Sequence, residues 1–147
     1  SGFIENYKFT HELCDDIKIE IVSPKAKIKV IKGHLEQVLN NLFDNGLRYS
    51  HKKTGSATLL VQAGIESKDG DELPFLHIVD EGPGINEDEE SHLFEPFHTT
   101  ESSGTGLGLY ISKELCEANH SQLIYGRNSS GKSSFSIYFG NSDRAMT

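Results

Sequence analysis

Between Gly33 and Ser50 the apolar residues Leu35, Val38, Leu39, Leu42, Phe43 and Leu47 recur at spacings of three, four and one. This is the period of an amphipathic helix with a broad core-facing stripe, and the rest of the chain is organised around it. Gln37, Asn41, Asn45 and Arg48 fall on another face. Asparagine inside a helix costs roughly 0.5 kcal/mol or more relative to alanine. A helix that carries two of them at i and i+4 is therefore expected to use their amide oxygens, and oxygen at that spacing suits a hard cation or a polar ligand. For such a helix taken alone, two solvated surface residues would be the plainer reading.

Composition narrows what that ligand can be. The chain has 147 residues, 35% of them hydrophobic, which fits one domain, 1–147, with one sizeable core over about 17–140. No apolar run approaches the roughly 20 residues of a membrane span, and the N-terminus lacks the pattern of a signal peptide, so a cytoplasmic domain is expected. Cys14 and Cys116 stand far apart in no metal-ligand or redox spacing, and reduced thiols are expected. The formal net charge of −8 argues against nucleic acid, whose phosphates call for clustered Lys and Arg. It also makes a nucleoside triphosphate an uphill ligand. Such an anion needs local compensation from a divalent cation, oriented backbone N–H groups and a few basic side chains.

Along the chain, Ile17 to Ile21 alternates as a half-buried strand does, with Pro24 ending it. Ile28 to Ile31 reads as a second short strand, Thr58 to Ile65 and Phe75 to Val79 as two central ones. The charged, Gly-bearing Glu66 to Glu72 is expected to be their hairpin loop. The acidic run Asn86 to Glu90 suits the first turn of a short helix reaching about Phe94. Gly84 to Gly104, broken by that helix, reads as a lid. Leu107, Leu109, Ile111, Leu115 and Ala118 mark a helix from Thr105 to Asn119, and closing strands follow at Leu123 to Tyr125 and Phe135 to Phe139, with a turn at Asn128 to Lys132. Strands and helices in this mixture predict an α+β fold of two layers, a mixed sheet covered by helices on one face.

Four blocks stand in order: Asn41-Leu42-Phe43-Asp44-Asn45, then Asp80-Glu81-Gly82-Pro83-Gly84-Ile85, then Leu93-Phe94-Glu95-Pro96-Phe97, then Gly104-Thr105-Gly106-Leu107-Gly108-Leu109. A lone Gly-x-Gly-x-Gly is a weak signal of a phosphate cradle at a helix N-terminus. The ordered set is far more specific. It resembles the asparagine box, first glycine box, phenylalanine box and second glycine box of the sensor histidine kinase ATP-binding domain, of the GHKL superfamily, over about Lys18 to Phe139. Asn-Gly-Leu-Arg-Tyr-Ser, Glu-Leu-Cys-Glu-Ala-Asn and Phe-His-Thr-Thr look most similar to PilS-like and NtrB-like sensors. The resemblance implies the Bergerat fold, an α/β sandwich with about five strands and about three helices, and the cofactors ATP and Mg²⁺.

By motif match, Asn45 holds the Mg²⁺ that bridges the phosphates, and Asn41 orients a water or shares the metal, the two being the catalytic pair. Arg48 and Tyr49 match residues that contact phosphate and nucleoside. For Arg48, Lys52 and Lys53 a purely electrostatic role at a helix C-terminus is the competing reading. Asp80 ends an apolar strand, where a carboxylate is costly without a partner, and its family counterpart accepts the adenine amino hydrogen. Gly82, Gly84 and Ile85 make room for the ring. Thr99, Thr100, Gly104, Thr105, Gly106, Leu107, Gly108 and Leu109 complete the expected nucleotide-binding set, whereas Phe94 and Phe97 are expected to pack the lid. GHKL ATPases of the gyrase, Hsp90 and MutL type carry a glutamate at the position of Asn41. An amide cannot take a proton from water, so phosphoryl transfer fits better than hydrolysis. Two departures stand out: Gly46 replaces a more usual alanine and should loosen the helix slightly, and Glu101 places an acid in the lid, where phosphates would be repelled.

The implied partners are the phosphoacceptor and dimerisation domain of the same kinase, expected to lie outside this chain, and a response regulator downstream, in a sensor anchored to the membrane. A nucleotide-binding regulatory module without transfer, or an anti-sigma-type serine kinase, are the competing readings. His11-Glu12-Leu13 superficially resembles a phosphoacceptor box, but Cys14-Asp15 follow in place of a basic residue and a proline. His34, His51, His77, His92, His98 and His120 have no acceptor context either, and read as scattered surface residues. The acceptor must reach the γ-phosphate in line with the leaving oxygen, which a residue tied to the domain's own scaffold cannot do. Incubated with labelled ATP and Mg²⁺, the chain should gain no acid-labile, base-stable label, and His11→Ala should not alter transfer to an added phosphoacceptor domain. Label that disappears in His11→Ala would make His11 the acceptor.

Overall fold

The computed structural model describes residues 16–21, 30–82, 84–85, 87–96, 107–128 and 130–140. Its elements are β1 (Asp16–Ile21), α1 (Lys32–Thr54), β2 (Thr58–Lys68), β3 (Asp71–Asp80), α2 (Glu87–Glu90), α3 (Gly108–Ala118), β4 (Gln122–Arg127) and β5 (Ser133–Tyr138). The five strands form one sheet in the order β1-β2-β3-β5-β4. β1 runs parallel to β2 and every other pairing is antiparallel, so the sheet is mixed, as the sequence predicts. α1 and α3 pack on one face of it, where Val38, Leu42, Phe43 and Leu47 meet Leu59, Val61, Ile78, Leu123, Phe135 and Ile137 in one core.

The stripe read from the sequence is the buried side of α1, with Val38, Leu42, Phe43, Gly46, Leu47 and Ser50 fully covered and Leu35 and Leu39 partly so. The helix ends at Gly55, in the left-handed region at φ 78°, whose N–H donates to the His51 carbonyl at 2.8 Å. His51, Lys52 and Lys53 place positive charge in the last turn, where the helix dipole favours it. At the other end no side chain of the helix caps it. Instead the Ile31 N–H donates to Asn119 Oδ1 at 2.8 Å, so the end of α3 caps the start of α1. Val30 and Ile31 are therefore not strand residues, against the expectation for Ile28 to Ile31; the rest of that segment lies outside the described residues.

The β2–β3 strands are longer than the hydrophobic runs suggested, because charged residues continue the ladder to Lys68↔Asp71. Only Asp69 and Gly70 turn, at φ 52° and 85°, the positive-φ pair that matches strand twist in a two-residue hairpin. α2 is a single turn. The chain leaves helical geometry after Glu90, and Leu93 is buried in the core with Phe94 packed against it. Phe94 meets Phe135 edge-on at 6.3 Å between ring centres. It packs, as expected; Phe97 lies outside the described residues.

Gly46 is more than a loosened helix position. A Cβ there would overlap Leu59 Cδ2 and sit 3.6 Å from Asp80 Cβ, so the missing side chain lets α1 settle onto β2 and β3. Alanine gains up to about 1 kcal/mol in helix propensity, whereas overpacking costs about 1 to 3 kcal/mol. Gly46→Ala should therefore lower stability by about 1 kcal/mol, and the loss should shrink when Leu59 is shortened to valine. Urea denaturation of the single and double variants would check this; a stabilised Gly46→Ala protein would show that the helix has room to spare.

Candidate functional site

The alternation along β3 places Leu76, Ile78 and Asp80 on the helix-covered face, with Asp80 opposite Leu59 in the register. Asp80 is 1% exposed, a carboxylate at the edge of an apolar core. Its Oδ1 accepts the Gly82 N–H at 2.7 Å, while Oδ2 is buried with no hydrogen-bond partner among the described residues. Burial pushes its pKa up to about 6, reinforced by the Glu81 charge and opposed by the Gly82 amide, the Ser133 hydroxyl and Arg127. A buried acceptor without a donor is costly, and a ligand amino group is the kind of donor that would satisfy it.

The turn after β3 is held from three directions. Ser50 of α1, fully buried, accepts the Glu81 N–H at 2.8 Å and donates to the Thr58 carbonyl at 2.7 Å. A Cβ on Gly82 would lie 2.5 Å from Tyr49 Cβ and 2.7 Å from Asp80 Oδ1, so glycine lets the turn press against the helix. From β4, the Tyr125 hydroxyl accepts the Ile85 N–H at 3.0 Å and lies 2.8 Å from Ser133 Oγ. Gly84 has φ 82°, and the Arg127 guanidinium fills the space its side chain would occupy. Lys132 pairs with Glu81 at 2.6 Å; both side chains are well exposed, so that bond contributes at most about 1 kcal/mol.

Asn41 and Asn45 of α1 are both engaged. Asn41 Nδ2 donates to the Gly108 carbonyl and to Ser112 Oγ, each at 3.2 Å, which fastens α1 to the first turn of α3. Asn45 Oδ1 accepts from the Arg48 guanidinium at 2.5 Å. Arg48 Nε, in turn, is buried with no hydrogen-bond partner among the described residues. α3 begins after Leu107 with no side-chain cap among the described residues, and the first-turn N–H groups of a helix suit an anionic ligand.

The structure thus brings together Asn41, Asn45, Arg48 and Tyr49 on α1, Asp80, Gly82, Gly84 and Ile85 on the turn, and Leu107, Gly108 and Leu109 at the start of α3. Thr99, Thr100, Gly104, Thr105 and Gly106, like Glu101, lie outside the described residues, as do His11, Cys14 and His98. Cys116 is a buried thiol whose pKa burial pushes up to about 11. Sequence reading missed Ser50, Tyr125, Arg127 and Ser133, which reach the turn only through strand order and register. It also misjudged His77. That ring is half-buried, stacked on Phe75 at 4.3 Å, with Nδ1 2.7 Å from Ser136 Oγ and Nε2 3.2 Å from Glu66; burial lowers its pKa despite Glu66. Among the described residues no group of three or more His, Cys, Asp or Glu could hold a metal.

A family model described as histidine kinase-, DNA gyrase B- and HSP90-like ATPase matches residues 31–142, and the chain belongs to that family. Within it, the chain stands among the sensor histidine kinases. It is 36% identical over 137 residues to sensor protein kinase PilS of Pseudomonas aeruginosa, covering 93% of this chain and 26% of PilS. It is 32% identical over 114 residues to sensor histidine kinase YkoH of Bacillus subtilis, covering 74% of this chain and 23% of YkoH. The chain thus spans about a quarter of the length of these curated relatives. The catalytic domain of histidine kinase ThkA, in a nucleotide-free form, shares the fold with a TM-score of 0.72 at 19% identity, over 97% of this chain and 88% of that one.

The raised Asp80 pKa makes a stability prediction. The folded-state value lies above the ordinary 3.8, so the stability linked to this group is full below about pH 4 and is lost as pH rises through about 6. Two units correspond to on the order of 3 kcal/mol. Between pH 4 and pH 7 the native chain should lose stability relative to Asp80→Asn, which cannot titrate there. Parallel pH profiles of the denaturation midpoints would refute a carboxylate strained by burial.

Proposed function

We propose that this chain binds Mg²⁺-ATP and passes its γ-phosphoryl group to a histidine on a separate dimerisation and phosphoacceptor domain, for relay to a response regulator. The observation that carries this reading is a pair of buried atoms of opposite demand, Asp80 Oδ2 lacking a donor and Arg48 Nε lacking an acceptor among the described residues. A nucleotide supplies both, with an amino group at one end and anionic oxygens at the other. The sensor histidine kinases among its relatives favour transfer over the regulatory-module and serine-kinase alternatives.

In this reading Asp80 accepts the adenine amino hydrogen, and Gly82, Gly84 and Ile85 leave space for the ring. Tyr49 lies against the nucleoside. Arg48 and the start of α3 at Leu107, Gly108 and Leu109 meet phosphate, together with Thr99, Thr100, Gly104, Thr105 and Gly106. Asn45 Oδ1 is the oxygen suited to Mg²⁺, since a carbonyl oxygen has a second lone pair beside the one used by Arg48. Asn41, whose nitrogen is spent on α3, has its oxygen to orient a water or share the metal. Held by Asn45, with Asn41 beside it, Mg²⁺ would supply charge neutralisation to the phosphates. Neither carboxamide can act as a base toward water, which favours transfer. The chain would form the cytoplasmic catalytic part of a membrane-anchored sensor; among the described residues no helix is long and apolar enough to cross a membrane.

Calorimetric titration should show Mg²⁺-ATP bound in preference to Mg²⁺-GTP, because guanine presents a carbonyl where Asp80 needs a donor. Equal affinities would sink the assignment. Asp80→Asn should weaken ATP binding by about 1 to 3 kcal/mol, the scale of a mispaired buried polar group.

Asn45→Ala should cut transfer to a supplied phosphoacceptor domain strongly while affecting ADP binding less, since the metal bridges phosphates rather than holding the base. Transfer at the native rate would remove Asn45 from the metal site.

A further inference from the structure

Three consecutive contacts join the C-terminal half of α1 to the end of β3 and the turn beyond. Gly46 faces Asp80 Cβ, Tyr49 faces Gly82, and Ser50 holds the Glu81 amide. Ser50 makes hydrogen bonds that leave the helix in two directions. Helical hydroxyls commonly fall back on their own i−4 carbonyl, as Thr54 does with Ser50 O at 2.9 Å and Ser112 with Gly108 O at 2.8 Å. Ser50 instead gives its one proton to Thr58 O at 2.7 Å and a lone pair to Glu81 N–H at 2.8 Å. It is 0% exposed, so no water can replace either partner.

We propose that Ser50 is a positioning residue for nucleotide binding, a role that rests on the ATP reading above. Its hydroxyl fixes the aspartate-bearing turn to the asparagine-bearing helix. The Glu81 amide belongs to the peptide that follows Asp80, the last residue of β3, and its N–H is held by the Ser50 hydroxyl. Its rotation would carry the Gly82 N–H away from Asp80 Oδ1 and change where Oδ2 points. Asn45 and Arg48 lie five and two residues earlier on the same helix. Ser50 thus sets the separation between the groups that read the base and those that meet the phosphates. A ligand held at both ends is sensitive to that separation.

The test compares the native chain with Ser50→Ala, Ser50→Thr and Val38→Ala, a buried α1 residue far from the turn, each titrated with Mg²⁺-ADP at a temperature where circular dichroism shows it folded. The expected result is a loss of affinity of about tenfold or more in Ser50→Ala, near-native affinity in Ser50→Thr, which keeps the hydroxyl, and no more than a twofold change in Val38→Ala. Ser50→Ala binding within twofold of native, or no worse than Val38→Ala, would overturn the proposal, as would failure of Ser50→Thr to recover affinity. Should Ser50→Ala not fold, the native chain decides. Exchange of the Glu81 amide, followed by NMR, should slow when Mg²⁺-ADP is added, and an unchanged rate would overturn the coupling. A native chain that binds no adenine nucleotide would instead overturn the function itself.

Discussion

Everything at the site depends on a carboxylate placed where the sheet is otherwise apolar. Asp80 continues the row of Leu76 and Ile78 on the covered face of β3. Desolvating a charge there costs several kcal/mol unless partners return it, and the chain returns only part, through the Gly82 amide, the Ser133 hydroxyl and Arg127. In the proposed reading an entering nucleotide supplies the donor that Oδ2 lacks among the described residues.

Keeping such a group in place demands rigidity around it, and the surrounding contacts supply it from every side. α1 and α3 run antiparallel and exchange amides at both ends: Asn119 of α3 receives the Ile31 N–H at the start of α1, and Asn41 of α1 reaches Gly108 and Ser112 at the start of α3. The turn itself is gripped by a helix hydroxyl on one side and a strand phenol on the other. None of these bonds is strong alone, at about 1 kcal/mol net each. Their value lies in removing alternatives for the backbone.

The sheet and its helical cover were legible because alternation and the α1 stripe are local patterns, and Asp80 could be singled out because it breaks an apolar run. What escaped was long-range. Tyr125 and Arg127 reach the turn from β4 only because β5 lies between β3 and β4 in the sheet. Ser50 is one hydroxyl among many until α1 is docked. Ile31 has the look of a strand residue, and a partner 88 positions away makes it the entry to a helix instead. His77 seemed a surface residue because nothing nearby in sequence announces Ser136 and Tyr138 as its neighbours across β5.

Asn45 is followed by Gly46, the pairing most prone to slow chemical ageing, in which the glycine nitrogen attacks the asparagine side chain and leaves a carboxylate or an inserted backbone carbon. That attack needs a backbone free to swing the nitrogen toward the amide carbon. Both residues sit mid-helix in α1, with Gly46 pressed against Leu59, and the nitrogen is committed to the helical hydrogen-bond ladder. The close packing at Gly46 therefore also preserves its neighbour's chemical identity, and a chain that spends long unfolded would lose the Asn45 carboxamide while its folded copies keep it.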